Sequence, residues 1–244
     1  MALAGFGDRV EGLHAVAAAA AAGRVSQLWV DRGRLRRLEY QQVVDDVLAA
    51  GGSVSEMEDV ASLAETTAPQ GLVARCAPRQ EATLDDLASV GGPAAVMVLD
   101  HVVDPHNVGA IARSVAAAGL SGLVLASRRA APLSAAAFKS AAGALETVAV
   151  ARVNSIAETI GRLRRLGLWS IGLDQDADQV LWGLPLLTEP VALVVGDEGT
   201  GLSQLVSDRV EVRVRIPMVA SVESLNASIA AALAAFEVAR VRGL

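Results

Sequence analysis

The chain has 244 residues, enough for one large domain or two modest ones, and 52% of them are hydrophobic. Its 27 Asp and Glu against 21 Lys and Arg give a net charge of −6, which excludes a protein coated in basic charge for non-specific nucleic-acid binding but leaves room for a local basic patch. Cys76 is the only cysteine, so an intrachain disulfide and a thiolate zinc cluster are excluded, and His14, His101 and His106 lack metal-ligand spacing. With no signal peptide to read and an apolar run at 15–22 too short to span a bilayer, the expectation is a cytoplasmic protein that needs no membrane and no metal.

The first expected element is a helix over 8–22, stopped by Gly23, followed by a strand over 25–30. A helix over 35–50 ends at Gly51-Gly52, and a weak strand (53–57), a short helix (58–65) and a strand (71–75) complete a small alternating unit. Pro78, Gly91-Gly92 and Pro93 punctuate a looser stretch. The expected division is therefore a domain over 1–77, a linker over 78–93 and a second domain over 94–244. In the second domain strands are expected at 94–99, 122–126, 147–150, 168–173, 191–195 and 210–216. Helices are expected at 108–118, 133–144, 155–166 and 224–242. Alternation of this kind implies a doubly wound α/β domain, its mostly parallel sheet covered on both faces.

Three strand-to-helix junctions carry polar residues in otherwise apolar surroundings, which is where open α/β sheets bind ligands. The first runs from Asp100 through Asp104-Pro105-His106-Asn107-Val108-Gly109 to Arg113. Asn107 is expected to cap the helix that follows, with Asp104-Pro105 as a tight turn and Arg113 near the same N-terminal turns. The second is Gly196-Asp197-Glu198-Gly199-Thr200-Gly201-Leu202-Ser203. It has the glycine spacing of a phosphate loop, but Leu202 stands at the lysine position and two carboxylates lie inside, so it suits a positively charged ligand better than a triphosphate. The third is Ile216-Pro217-Met218, followed by Ser221 and Ser224-Leu225-Asn226, with Ser221 and Ser224 expected to cap a long alanine-rich helix. No Gly-x-Gly-x-x-Gly follows any strand, which argues against an ordinary dinucleotide site.

Taken together and in this order, the three junctions resemble the motifs of the SpoU/TrmH family of RNA ribose 2′-O-methyltransferases, over about residues 94–242. Within it the likeness is greatest to the bacterial branch that methylates a guanosine of large-subunit (23S) ribosomal RNA. The resemblance implies a C-terminal SPOUT catalytic domain with a deep trefoil knot, which periodicity does not reveal and base rates disfavour. It also implies a small N-terminal RNA-binding domain of ribosomal-protein (L30e-like) type and a homodimer formed through the catalytic domain. It assigns S-adenosylmethionine to backbone groups of Gly196, Ile216 and Leu225, and catalytic roles to Asn107, Arg113, Glu198, Ser224 and Asn226. The family's usual account makes the matching arginine the general base. Neutralising an arginine at pH 7 costs about 7 kcal/mol, because its ordinary pKa lies far above neutral, so a charged arginine that pins a phosphate and stabilises the developing oxyanion is the alternative.

Softer RNA-contact candidates are the run Arg32, Arg34, Arg36, Arg37, and Arg128, Arg129 and Lys139. A solvated face explains the run equally well. Residues 138–146 look like a family stretch near the substrate site, and Pro69 replaces the histidine that relatives carry before Gln-Gly. His101 and His106 read as loop residues rather than catalysts. Other readings are a tRNA ribose methyltransferase, an enzyme protecting ribosomal RNA from an antibiotic, and a catalytically inactive RNA-binding ribosome assembly factor.

Overall fold

The computed structural model describes residues 5–128, 130–219 and 224–243. Among these the strands are β1 (Gly5–Phe6), β2 (Arg9–Glu11), β3 (Val25–Asp31), β4 (Ser53–Met57), β5 (Leu72–Cys76), β6 (Arg79–Gln80), β7 (Ala95–Leu99), β8 (Gly122–Ala126), β9 (Val150–Val153), β10 (Trp169–Leu173), β11 (Gln179–Val180), β12 (Val191–Val195) and β13 (Val212–Arg215). The helices are α1 (Leu13–Ala21), α2 (Leu38–Ala49), α3 (Leu84–Ala88), α4 (Pro105–Ala117), α5 (Ala135–Ala141), α6 (Ile156–Arg165), α7 (Gln204–Ser207) and α8 (Ala227–Val241). None is long and apolar enough to cross a membrane. The chain divides into two units, residues 1–81 with 132–147, and residues 82–131 with 148–244.

The first unit is built on a four-stranded sheet in the order β2-β5-β3-β4, mixed in direction because only β3 and β4 run parallel. The single helix expected over 8–22 is replaced by β2 and α1. Gly12 breaks the run with φ 88°, and Val10, fully buried, pairs with Ala74 across an antiparallel ladder. The short helix expected over 58–65 is a 3-10 turn, Val60–Leu63, started by the Asp59 carboxylate accepting the Ala61 N–H at 2.8 Å. Residues 132–147 belong to this unit although their sequence neighbours do not. Phe138 of α5 is fully buried, and a Cβ on Gly7 would lie 2.3 Å from its ring. Arg24 donates to both Glu146 oxygens, at 2.8 and 2.5 Å, and also to the Gly7 and Ala77 carbonyls.

The second unit carries a seven-stranded, all-parallel sheet in the order β11-β13-β10-β12-β7-β8-β9. All five residues of β7 and of β12 are buried, as expected of parallel strands covered on both faces. Val96 and Val98 pack with Leu84 and Leu87 of α3 and Ile160 and Leu163 of α6. α4 and α8 pack on each other and against the sheet. β9 begins at Val150 rather than 147, since residues 144–146 form a 3-10 turn instead. Strand order reverses between β7 and β12, the kind of switch point at which such sheets open a crevice at the strands' carboxyl ends.

Candidate active site

The crevice is there. A cleft of about 630 Å³ is walled by the ends of β10 (Leu173–Asp176), β12 (Val195–Leu202) and β13 (Arg213, Ile216, Met218), with Ser224, Leu225 and Ala227 closing the α8 side. That volume lies within the range of small-molecule sites. Gly196, Ile216 and Leu225 all line it, as do Glu198 and Ser224.

The loop after β12 folds tightly on itself. Asp197 and Gly201 exchange backbone hydrogen bonds at 3.1 and 2.9 Å. Any Cβ on Gly196 would stand 2.1 Å from the Gly201 carbonyl group, so this position tolerates no side chain. Gly201 has φ 65°, which glycine adopts without strain. Asp174, Asp176, Asp197 and Glu198 give the cleft an acidic wall, and among the described residues only Asp174 has a cation against it, Arg213 at 3.2 Å. An acidic wall with backbone at close approach fits a sulfonium ligand and disfavours a polyphosphate.

At the rim, three of the residues expected in the site meet. The Asn107 amide donates to Glu198 Oε1 at 2.6 Å, and the Asn226 amide donates to the same oxygen and to Asn107 Oδ1 at 3.1 Å. Asn226 is oriented from behind, its Oδ1 accepting the Ser228 N–H at 2.9 Å, the Ser228 hydroxyl at 2.6 Å and the Ile229 N–H at 3.3 Å. One carboxylate oxygen therefore joins the starts of α4 and α8 to the loop after β12. Glu198 Oε2 carries no hydrogen bond among the described residues.

Arg113 is not in this cluster and does not line the cleft. It lies on the third turn of α4, six residues beyond Asn107, solvent-exposed and without an ion pair or hydrogen bond among the described residues.

The helix caps differ from those expected. α4 begins with Asp104 as N-cap, its carboxylate accepting the His106 N–H at 2.9 Å, and Pro105 takes the first helical position. Proline lacks the N–H that the first turn leaves unused, so Asp-Pro opens this helix rather than making a separate turn. Asn107 sits inside the first turn and is free to face Glu198, while His106 is helical rather than in a loop. α8 starts at Ala227 with Asn226 as its cap, so Ser224 is not the cap; it is exposed on the cleft wall. Ser221 lies outside the described residues.

Motif reading passed over two groups. The β10 end, Leu173–Asp176, supplies a full wall of the cleft, though no motif marks it. Asp100 is 1% exposed and accepts the Ser203 N–H at 2.7 Å. Among the softer candidates, Arg32 is paired with Glu56 and Glu58, and Arg37 with Glu39. The Arg34 guanidinium lies 6.0 Å from the Tyr40 ring. Arg36 and Arg128 are exposed with no partner among the described residues, Lys139 donates to the Ala68 carbonyl, and Arg129 lies outside the described residues.

Comparison with known proteins shows the family of the chain. Residues 94–236 match the SpoU rRNA methylase family, and residues 9–82 match the RNA 2′-O ribose methyltransferase substrate-binding domain. The chain is 35% identical to the 23S rRNA (guanosine-2′-O-)-methyltransferase RlmB of Vibrio cholerae, over 96% of this chain and 97% of that one. Against the enzyme of the same name from Pseudomonas aeruginosa it is 36% identical, over 96% and 97%. The crystal structure of the SpoU methyltransferase AviRb from Streptomyces viridochromogenes with AdoMet superposes with a TM-score of 0.81 at 27% identity, covering 96% of this chain and 89% of that one. The chain therefore belongs to the SpoU family of rRNA methylases, and it is an RNA 2′-O-methyltransferase of the RlmB-like kind.

Proposed function

We propose that the protein methylates a ribose 2′-hydroxyl of RNA, with a guanosine of 23S rRNA as acceptor. The observation that carries the reading is the junction of Asn107, Glu198 and Asn226 at the rim of an acidic cleft, in a chain similar along its length to RlmB enzymes. The cleft suits S-adenosylmethionine, which supplies an electrophilic methyl group when bound. Backbone groups of Gly196, Ile216 and Leu225 hold it, with the carboxylates beside them favouring positive charge.

Glu198, fixed by two amides through one oxygen, offers Oε2 to a ribose hydroxyl and aligns it. Ser224, exposed on the same wall, gives the nucleotide a second hydrogen-bonding group. Arg113 keeps its charge for RNA, because no carboxylate of the described residues claims it. It pins the phosphate beside the target ribose and stabilises negative charge as the hydroxyl loses its proton, which leaves through a phosphate oxygen or water. Arg128, in the same unit as Arg113, adds a contact to the RNA backbone.

The same reading includes a homodimer, a cytoplasmic location and the family's knotted C-terminal segment. What favours the dimer is an apolar strip on α8, Ile229, Leu233 and Phe236, exposed by 51, 37 and 51% at helical spacing in a water-facing position.

The test is transfer of labelled methyl from S-adenosylmethionine to unmodified 23S rRNA and to a tRNA pool, with the product mapped. A ribose methyl on one 23S guanosine is expected. Labelling of tRNA alone would overturn the substrate, and S-adenosylmethionine failing to bind would overturn the reaction.

A further inference from the structure

Asp100 stands one residue beyond β7, where its N–H donates to the Val195 carbonyl at 2.8 Å and extends the β7–β12 ladder past the strand ends. Its side chain is buried, and a buried carboxylate is costly unless its oxygens are satisfied. Both are. Oδ2 accepts the Ser203 N–H at 2.7 Å, 103 residues further along, and Oδ1 meets His101 Nδ1 at 2.7 Å. His101 reaches back in this way with φ 60°, a conformation rare for a side-chain-bearing residue.

Ser203 closes the loop that begins at Gly196 and forms one wall of the cleft. That loop is held at its start by β12 and across its middle by the Asp197–Gly201 pair. Its far end is held, among the described residues, by one charged anchor at the end of β7, Asp100. We infer that Asp100, steadied by His101, is a positioning residue for the cofactor cleft: it fixes the returning limb of the 196–203 loop against the end of β7. The inference rests on the reading of this cleft as the S-adenosylmethionine site.

The full-length protein tests it. Asp100→Ala is expected to raise the calorimetric Kd for S-adenosylmethionine about tenfold, to leave RNA affinity unchanged, and to speed amide hydrogen exchange at residues 201–204 in the cofactor-free protein. Asp100→Asn keeps an oxygen for the Ser203 N–H, and its Kd is expected to stay within about threefold of the parent. Ser203→Pro removes the donor instead. Ser203 already has φ −60°, the value proline requires, so the backbone accepts the ring, while its Cδ displaces the Asp100 carboxylate from the loop, and the variant is expected to match the weakened binding of Asp100→Ala. A Ser203→Pro protein that binds as the parent does, or an Asp100→Asn protein as impaired as Asp100→Ala, would overturn the inference. If the parent binds no S-adenosylmethionine, the reading of the cleft fails. Exchange at 201–204 still judges the anchor: unchanged rates in Asp100→Ala would reject it.

Discussion

Arg24 in the first unit and Arg113 in the second put the same functional group to opposite uses. Arg24 is 13% exposed, and its guanidinium is engaged by both oxygens of Glu146, itself 3% exposed, and by two carbonyls. Arg113 rises from a helix of Val, Gly, Ala, Ile and Ser into water with no such partner among the described residues. A guanidinium held on all sides works as a joint. One left open keeps its field and its hydrogen-bond donors for a ligand. The bonds an arginine does not make are here the better guide to function.

The contrast breaks most sharply at Arg113. Arg113→Ala is expected to lower methyl-transfer kcat by about 10³-fold, the scale of losing an electrostatic group at a transition state, while the thermal midpoint stays unchanged. Arg113→Lys should keep RNA affinity better than turnover. Near-normal turnover in the alanine variant would strip Arg113 of any part in the reaction.

The reverse pattern is expected of Glu146→Ala, which leaves a buried guanidinium without its carboxylate. It should cost about 3 kcal/mol of stability in denaturant unfolding, with little loss of S-adenosylmethionine affinity in the folded protein. Cys76 reports on the same unit. It is 4% exposed, and burial pushes its thiol up to about 12, so alkylation at pH 8 requires opening. Labelling of Cys76 should speed up in Glu146→Ala and not in Arg113→Ala. Equal labelling of both would erase the distinction.

A smaller effect sharpens it with pH. Burial alone would raise the Glu11 carboxyl, but hydrogen bonds from the Glu65 and Thr66 backbone, the Thr66 hydroxyl and Arg9 hold it below its ordinary value. A depressed carboxylate contributes stability that is present above its unfolded value, near 4.3, and is lost as pH falls through the folded one. Glu11→Gln should therefore flatten the acid limb of the stability profile without altering the response to Arg113 variants. An unchanged acid limb would discount Glu11.

How far the residues foretold this structure depended on the range of the interaction involved. Residues 122–126 and 191–195 were legible as strands because a buried parallel strand is a short apolar run and little else. The polar junctions were legible as a candidate site because their residue types are out of place in an apolar chain, and the structure brings Asn107, Glu198 and Asn226 of the three together. The start of α4 was misjudged because Asp-Pro serves both a turn and a helix opening, and Asp104 made it the latter. β2 was hidden because Arg9–Glu11 becomes a strand only by pairing with β5, more than sixty residues away. The Asp100–Ser203 bond and the return of Glu146 to Arg24 leave no local trace, since both join residues more than a hundred positions apart.

Residues 132–147 complete the core of the first unit, where Phe138 stands 6.1 Å from Phe6 and Arg79 donates to the Leu145 carbonyl. The match to the substrate-binding domain nevertheless ends at residue 82. For anyone grafting RNA specificity between relatives, the natural cut is thus the wrong one. A fragment stopping at 82 would leave Arg24 unpaired and an apolar hollow in place of Phe138. A faithful transplant has to move two separate stretches of gene together, and exchange of this unit by a single crossover is correspondingly disfavoured.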